Sequence, residues 1–320
     1  MSSINATTPI VVTPNLLAST MNAGLLTDQT NLANLQEQIA TGNAINAPSD
    51  NPAGAANLLQ LQAGLTRANQ YSANAQDGTG WLTLANSTVS SVMSNLQQVL
   101  GLVQGVTGSS LTGQATTFQA TAGQVSAALT EITNLANTTY EGNQALFAGT
   151  GNPTQAYDQN GNYVGGGNAP TRTVAPGTQI PVSVVGPTIF GTGAAGGAGN
   201  GLLGNGTSGA PVGVLQQIVN DLTSNPPKLS SLSGSDLTNL QNAISTVESA
   251  AGTLGAFQQQ VEGFAQQATS SATALTQQLG NVQSTNVAQA ITSLQLQQTA
   301  YQEALYATSQ LSTDSLAKYL

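Results

Sequence analysis

The sequence predicts a mainly α fold: a discontinuous long-helix bundle or coiled coil built from both chain ends, with a small inserted β-rich, loop-rich domain. Three observations carry this. Small and aliphatic residues recur alternately three and four apart at Leu82, Ala85, Val89, Val92, Leu96, Val99, Val103 and Val106, and again at Phe118, Ala122, Val125, Leu129, Ile132 and Ala136. The same spacing returns far away at Leu237, Leu240, Ile244, Val247, Ala251 and Leu254, then at Val261, Ala265, Ala268, Ala272, Leu275, Leu279 and Val282. Between these seams, residues 149–213 hold about half of the chain's 35 glycines and show no helical period. A three-four alternation averages 3.5 residues, so one stripe of each helix keeps facing a partner along its length.

Taken in order, the first helix carries Leu25, Leu32, Leu35 and Ile39 at heptad-like spacing. It breaks at Thr41-Gly42, and the run to Pro48-Ser49-Asp50-Asn51-Pro52 is a rigid non-helical connector, because each proline holds its predecessor in extended geometry. Ser49 or Asp50 is placed to cap the next helix. That helix runs over 54–106, with Gly78 and Gly80 as its weakest points. A turn at 108–113 leads to a helix at 115–147.

In the glycine-rich zone, short β-like runs fall at 162–164, 172–174 and 180–185, with Asn160-Gly161 as a hairpin signal. A flexible Gly/Ala stretch follows at 191–209. Helix resumes near Val212 and, after Pro226-Pro227, holds from Ser235 to the end, carrying Val287, Ile291, Leu294, Tyr301 and Leu305. The predicted divisions are 1–53, 54–148, 149–213, 214–284 and 285–320. Helices from the two ends should lie against each other.

Only 5% of the 320 residues are charged, against roughly 25% in ordinary soluble proteins. Net charge is −9, from thirteen acids against Arg67, Arg172, Lys228 and Lys318. Four scattered cations cannot neutralise a phosphate backbone, so nucleic acid is excluded as a partner. Membrane insertion is excluded too, since no window approaches the roughly 18 apolar residues a spanning helix needs. Residues 1–6 show no basic region followed by an apolar core, so no cleaved signal peptide is expected.

Cysteine is absent, which suits a chain that travels unfolded without cross-linking. Histidine is absent as well, removing the usual general base and the commonest zinc ligand. No catalytic, cofactor-binding or metal-ligating set emerges, and the expected role is structural, not enzymatic. A surface with so few ionisable groups changes little with pH, which would suit an acidic exterior.

Gly191-Thr192-Gly193-Ala194-Ala195-Gly196 matches a dinucleotide fingerprint by letter. The residues after it cannot open the helix whose N-terminus would receive the pyrophosphate, so it reads as loop. Asp158-Gln159-Asn160-Gly161-Asn162 spaces oxygens as a calcium loop does, but its glycine is misplaced and no Glu closes it, so it reads as a turn. Ser315-x-x-Lys318 lacks companion motifs. Trp81 and Tyr301 sit on or beside apolar stripes and read as packing residues.

The seam therefore divides. Residues 82–147 and 237–282 should close on their own chain. The terminal stretches, 15–40 and 285–320, have too little company there and expose apolar stripes that invite other subunits. Leu25, Leu32, Leu35, Ile39, Val287, Ile291, Leu294, Tyr301 and Leu305 are the expected subunit-interface residues, with Pro48, Ser49, Asp50 and Pro52 forming the connector.

Thr41-Gly42 through Pro48-Ser49-Asp50-Asn51-Pro52 resembles the Ser-Gly…Pro-Ser-Asp-Asp-Pro signature of the hook–filament junction proteins in the flagellin superfamily. Leu135-Ala136-Asn137-Thr138-Thr139…Gly142-Asn143…Leu146-Phe147-Ala148-Gly149 is similar to the segment that ends that family's N-terminal helical region. Tyr163-Val164-Gly165, Arg172 and Gly186…Ile189-Phe190 are similar to its middle-domain hairpins. Ala300-Tyr301-Gln302…Leu311-Ser312…Ser315-Leu316-Ala317-Lys318-Tyr319-Leu320 is similar to its ending. The matches cover most of the chain in family order.

The chain departs from the family where the basic residues usual after Thr41-Gly42 are Asn43 and Ala44, and where the signature's second Asp is Asn51. The resemblance implies a ring of eleven copies, with flagellin and the other junction protein as neighbours. It also implies an export chaperone, unfolded passage through the flagellar type III export apparatus to the extracellular flagellum, and terminal helices that order on assembly.

Overall fold

The computed structural model describes residues 14–108, 115–151, 154–192, 201–206 and 212–317. The chain order is α1 (Pro14–Thr41), α2 (Pro52–Gly108) and α3 (Ala115–Ala136), then a hairpin of β1 (Thr139–Tyr140) and β2 (Gln144–Ala145) around a 3-10 turn. A second hairpin of β3 (Thr171–Ala175) and β4 (Thr178–Pro181) follows, then the short α4 (Pro187–Phe190). After it come α5 (Val214–Thr223), α6 (Leu229–Ser231), a π turn (Leu232–Asp236), α7 (Leu237–Gln283) and α8 (Val287–Ala317). Both two-stranded sheets are antiparallel. The fold is mainly α, with long helices from both halves of the chain packing as α2 on α7 and small sheets confined to the inserted region. No helix among the described residues is long and apolar enough to cross a membrane.

The chain forms two compact units, one running up to Thr66 and again from Ala272 onward, the other spanning Arg67–Ser271. The second unit holds the core. Leu82, Ala85, Val89, Val92, Leu96, Val99 and Val103 are all fully buried. Val125, Ile132 and Ala136 of α3 and Leu240, Val247, Leu254 and Val261 of α7 are buried with them in one cluster. Burial of this kind contributes about 1.5–3 kcal/mol per large side chain. The inner seams thus close on their own chain, as their spacing required. Polar flanks join as well, with Asn86 Nδ2 donating to Gln258 Oε1 at 2.9 Å.

Gly78 and Gly80, expected as the weakest points of this helix, both lie under the inserted region. α2 passes through both without interruption. A Cβ at Gly78 would lie 3.0 Å from Val182 Cγ1, and one at Gly80 would lie 2.6 Å from the Tyr140 hydroxyl. Close approach of the inserted region explains both glycines. Tyr140 also packs at a tilt against Trp81, ring centroids 5.0 Å apart, and the Arg172 guanidinium covers the Trp81 ring at 5.4 Å while pairing with Asp77.

The helix expected over 115–147 ends at Ala136 instead. Asn137 turns the chain: its Oδ1 accepts from the Ala156 and Tyr157 amides at 3.0 and 2.8 Å, and its Nδ2 donates to Tyr157 O at 2.8 Å. The hairpin that follows has left-handed backbone at Gly142 and Asn143. The run expected as a strand over 180–185 pairs only to Pro181. Val182 N still donates to Pro170 O at 2.9 Å, and beyond it Ser183 Oγ donates to Leu146 O at 2.6 Å, so the segment leaves the ladder for the core.

At 162–164, Tyr163 forms a single bridge to Tyr157. The rings of Phe147, Phe190, Tyr157 and Tyr163 pack edge-on or tilted at 5.4–5.6 Å and anchor the glycine-rich region. Asn160-Gly161 is a turn, with Gly161 at φ +76° and its N–H donating to Asp158 O. Most of the turn at 108–113, most of the 191–196 fingerprint, much of the 191–209 stretch, and Lys318 lie outside the described residues.

In the first unit α1 packs along α8, and Gln297 Nε2 donates to Asp28 Oδ1 at 2.8 Å. Helix does not hold from Ser235 to the end. The π turn precedes α7, and residues 284–286 separate α7 from α8.

Candidate functional site

The connector and the α7–α8 break prove to be one construction. α1 ends as Gly42 takes φ +72° and its N–H donates to Gln38 O at 2.9 Å, a glycine helix stop. The next residue, Asn43, forms an antiparallel bridge with Ser284. Ala44 N donates to Gln283 O at 2.6 Å and Thr285 N to Gly42 O at 2.9 Å, while Gln38 Nε2 donates to Ala44 O at 3.1 Å. Each helix pair is broken where the other is broken, and the freed backbone groups satisfy one another. Asn286 then starts α8, its Oδ1 accepting from Gln289 N at 3.2 Å.

Within the connector Asp50 does not cap α2, and neither does Ser49. Asp50 Oδ2 turns inward to accept from the Asn46 and Ala47 amides at 3.1 and 2.8 Å. Asn51 is the cap, with Oδ1 accepting from Gly54 N at 2.9 Å and Pro52 in the first helical position. The physical reason is spacing: an N-cap oxygen reaches the amide three residues on, and Pro52 offers none nearer. Asn51 is the residue that departs from the family's acidic signature, and the amide performs the capping without charge. Pro48, Ser49, Asp50 and Pro52 are exposed. Ile45, Pro48, Leu58 and Leu59 line a groove of about 290 Å³ beside them.

On α1 the expected interface residues Leu25, Leu32, Leu35 and Ile39 are half-buried, and on α8 so are Leu294 and Tyr301. Val287, Ile291 and Leu305 remain exposed at 42–44%. Among the described side chains of the two helices the most exposed large apolar ones are others: Leu26 at 66%, and Leu296 and Tyr306 at 68%. Leu16 and Leu17 are exposed too. Counting heptads along a single stripe misses them. The signal that would have found them is a second apolar stripe, since both helices carry leucines on more than one side.

A second concavity, of about 410 Å³ in the other unit, is lined by Thr130, Asn134, Asn137, Gln155, Asp158 and Asn160 among others. It offers little chemistry. The Asp158 carboxylate already accepts from Asn160 N, Asn162 N and Asn162 Nδ2, which makes this loop the turn its sequence predicts. Among the described residues no cluster of three or more acidic, histidine or cysteine side chains is placed to hold a metal ion.

Residues 12–152 match the bacterial flagellin N-terminal helical region. Over 168 residues the chain is 25% identical to flagellar hook-associated protein 3 of Escherichia coli (strain K12), covering 52% of this chain and 52% of that protein. Over 141 residues it is 26% identical to flagellin of Clostridium tyrobutyricum, covering 44% of this chain and 37% of that one. The chain thus aligns with about half the length of the first of these relatives, and less of the second. Flagellar hook associated protein-3 of Legionella pneumophila shares the fold, with a TM-score of 0.56 over 70% of this chain and 98% of that chain, at 14% identity. Over these lengths the chain is similar to hook-associated protein 3 and to flagellin, and its residues 12–152 carry the flagellin N-terminal helical pattern.

Proposed function

We propose that this flagellin-related chain is a structural adaptor subunit that joins the flagellar hook, through the other junction protein, to the flagellin filament. The observation that carries the reading is the division of apolar surface. The helical core of the second unit buries most of its seam, with Leu82 to Val103 and Leu240, Val247, Leu254 and Val261 fully buried and Leu129, Ile244 and Ala251 half-buried, whereas α1 and α8 leave Leu26, Val287, Ile291, Leu296, Leu305 and Tyr306 in solvent. Apolar stripes at this density on otherwise soluble helices belong against other subunits. The relatives named hook-associated protein 3 supply the direction of the proposal.

In this reading the terminal helices pack against equivalent helices of neighbouring copies in a ring, and against flagellin and the other junction protein above and below. The clasp formed by residues 42–44 with 283–285 fixes where each terminal helix departs from its longer partner. Export unfolded by the flagellar type III apparatus, with a chaperone, follows from the same family resemblance, and so does an extracellular location. The predicted domain divisions enter here as well, with 1–53 and 285–320 as the assembling ends.

A second reading, flagellin itself, is favoured by the match to a flagellin over the N-terminal region. A strain lacking this chain separates the two. Filament protein that is still made but shed into the medium supports the adaptor. Loss of all filament protein from cells and medium overturns it in favour of flagellin. Unchanged, firmly attached filaments overturn both, and loss of surface attachment with motility intact then points to a secreted helical adhesin.

A further inference from the structure

Between α5 and α7 the second unit turns a corner through residues 224–236, and two acidic side chains meet inside it. Asp221, on α5, is 1% exposed, and Asp236, at the end of the π turn, is 3% exposed. α5 packs on the π turn, and Asp221 bears on the Asp236 carboxyl both as a neighbouring charge and as a side-chain hydrogen-bonding group. One cation faces them: Lys228 Nζ donates to Asp221 Oδ1 at 3.0 Å from a side chain that remains 57% exposed. Gln217 Nε2, one turn earlier on α5, donates to the same oxygen at 3.0 Å. Lys228 also ties the corner through its backbone, its N–H donating to Asp221 O at 3.0 Å.

Asp221 is therefore provided with donors as a carboxylate. Asp236 is not. Ser235 Oγ stands 3.4 Å from Asp236 Oδ1, and Asp236 Oδ2 is buried and accepts from no donor among the described residues. With both groups ionised neither can donate to the other, and two like charges share a corner where both side chains are buried. A proton on Asp236 turns the same contact into a charge-assisted O–H···O⁻ bond.

We propose that this corner is an acid-stabilised clasp in which Asp236 carries a proton and donates it to Asp221, holding α5 to the start of α7 most firmly in acid and less firmly toward neutral pH. Burial, then the neighbouring Asp221 charge, pushes the Asp236 carboxyl up to about 6. A folded-state value above the ordinary 3.8 means the folded chain binds the extra proton. Its stabilisation is thus complete below about pH 4 and disappears as pH rises through about 6. Each pKa unit corresponds to a tenfold change, so the unfolding constant should rise on the order of 100-fold across that interval. The chain contains no histidine to obscure the window. The clasp is independent of the assembly role.

The test is denaturant unfolding of the full chain at pH 4.5 and 7.5, followed by fluorescence of Trp81, the chain's one tryptophan, which is buried in the same unit. Wild type should lose stability toward pH 7.5. Asp236→Asn keeps a donor for Asp221 at every pH, and its stability should be flat across the interval and match or exceed wild type at pH 7.5. A carboxyl carbon NMR titration of the wild-type chain, which needs no variant, should place the Asp236 midpoint near pH 6. A midpoint in the ordinary range near 4, wild-type stability that does not fall between the two pH values, or an Asp236→Asn chain that keeps the wild-type slope would each overturn the proposal.

Discussion

Two glycines with opposite duties show what a single position carries in this chain. Gly161 closes the Asp158–Asn162 turn at φ +76°, and a Cβ there would lie 2.7 Å from the Gly204 backbone nitrogen. Gly101 sits within α2 with nothing within 4 Å of an added Cβ. Ala at 161 meets both a left-handed backbone and an immovable neighbour, so Gly161→Ala should destabilise by about 1–2 kcal/mol or more. Gly101→Ala removes helix-weakening freedom at no steric cost and should stabilise by about 0.5–1 kcal/mol. Chemical denaturation of the two variants checks the opposed signs; a loss at position 101 would mean that α2 relies on flexibility there. Asn51 teaches the complementary lesson. Its exchange for the family's Asp leaves the cap intact because capping needs an acceptor oxygen, not a charge.

The helices divide into those whose extent is written in their own residues and those whose extent is set by distant ones. α2 was legible almost to its ends because its seam never breaks register and proline and asparagine mark its start. α3 was read too long, since nothing between Ala136 and Phe147 announces that Asn137 will be claimed by backbone amides at 156 and 157. The α7–α8 break was missed for the same reason: Ser284-Thr285-Asn286 has no proline, and only pairing with Gly42–Ala44 interrupts it. Residues 42–51 lie outside the helices, but Pro52, expected in the connector, opens α2, and the capping role falls to the neighbouring asparagine.

For α1 and α8 the consequence is testable. Leu26 and Leu296 are two-thirds exposed within their own chain. Leu26→Ser with Leu296→Ser should change unfolding of the isolated chain by less than about 0.5 kcal/mol per site while abolishing the proposed association with flagellin and with further copies. Sedimentation and pull-down with purified partners measure this. Retained association would move the assembly surface elsewhere.

Considered entire, the molecule is held together almost without charge, and that property should govern how copies hold each other. The chain has four cations. Arg172 and Lys228 are engaged with Asp77 and Asp221 inside the second unit. The clasp at 42–44 and 283–285 uses backbone and amide groups, and the exposed faces of α1 and α8 present leucine, isoleucine, valine and tyrosine. Surface ion pairs weaken as salt shortens the Debye length from about 10 Å at 0.1 M to about 3 Å at 1 M. Apolar association does not; excluded salts such as sulfate strengthen it and cooling weakens it. Assembly of this chain should therefore be nearly unchanged between 0.05 and 1 M sodium chloride, tighten in sodium sulfate, and loosen in the cold. Light scattering across those conditions separates the mechanisms. A steep loss of assembly with rising sodium chloride would mean that thirteen acids and four cations, sparse as they are, have been arranged to carry the interface.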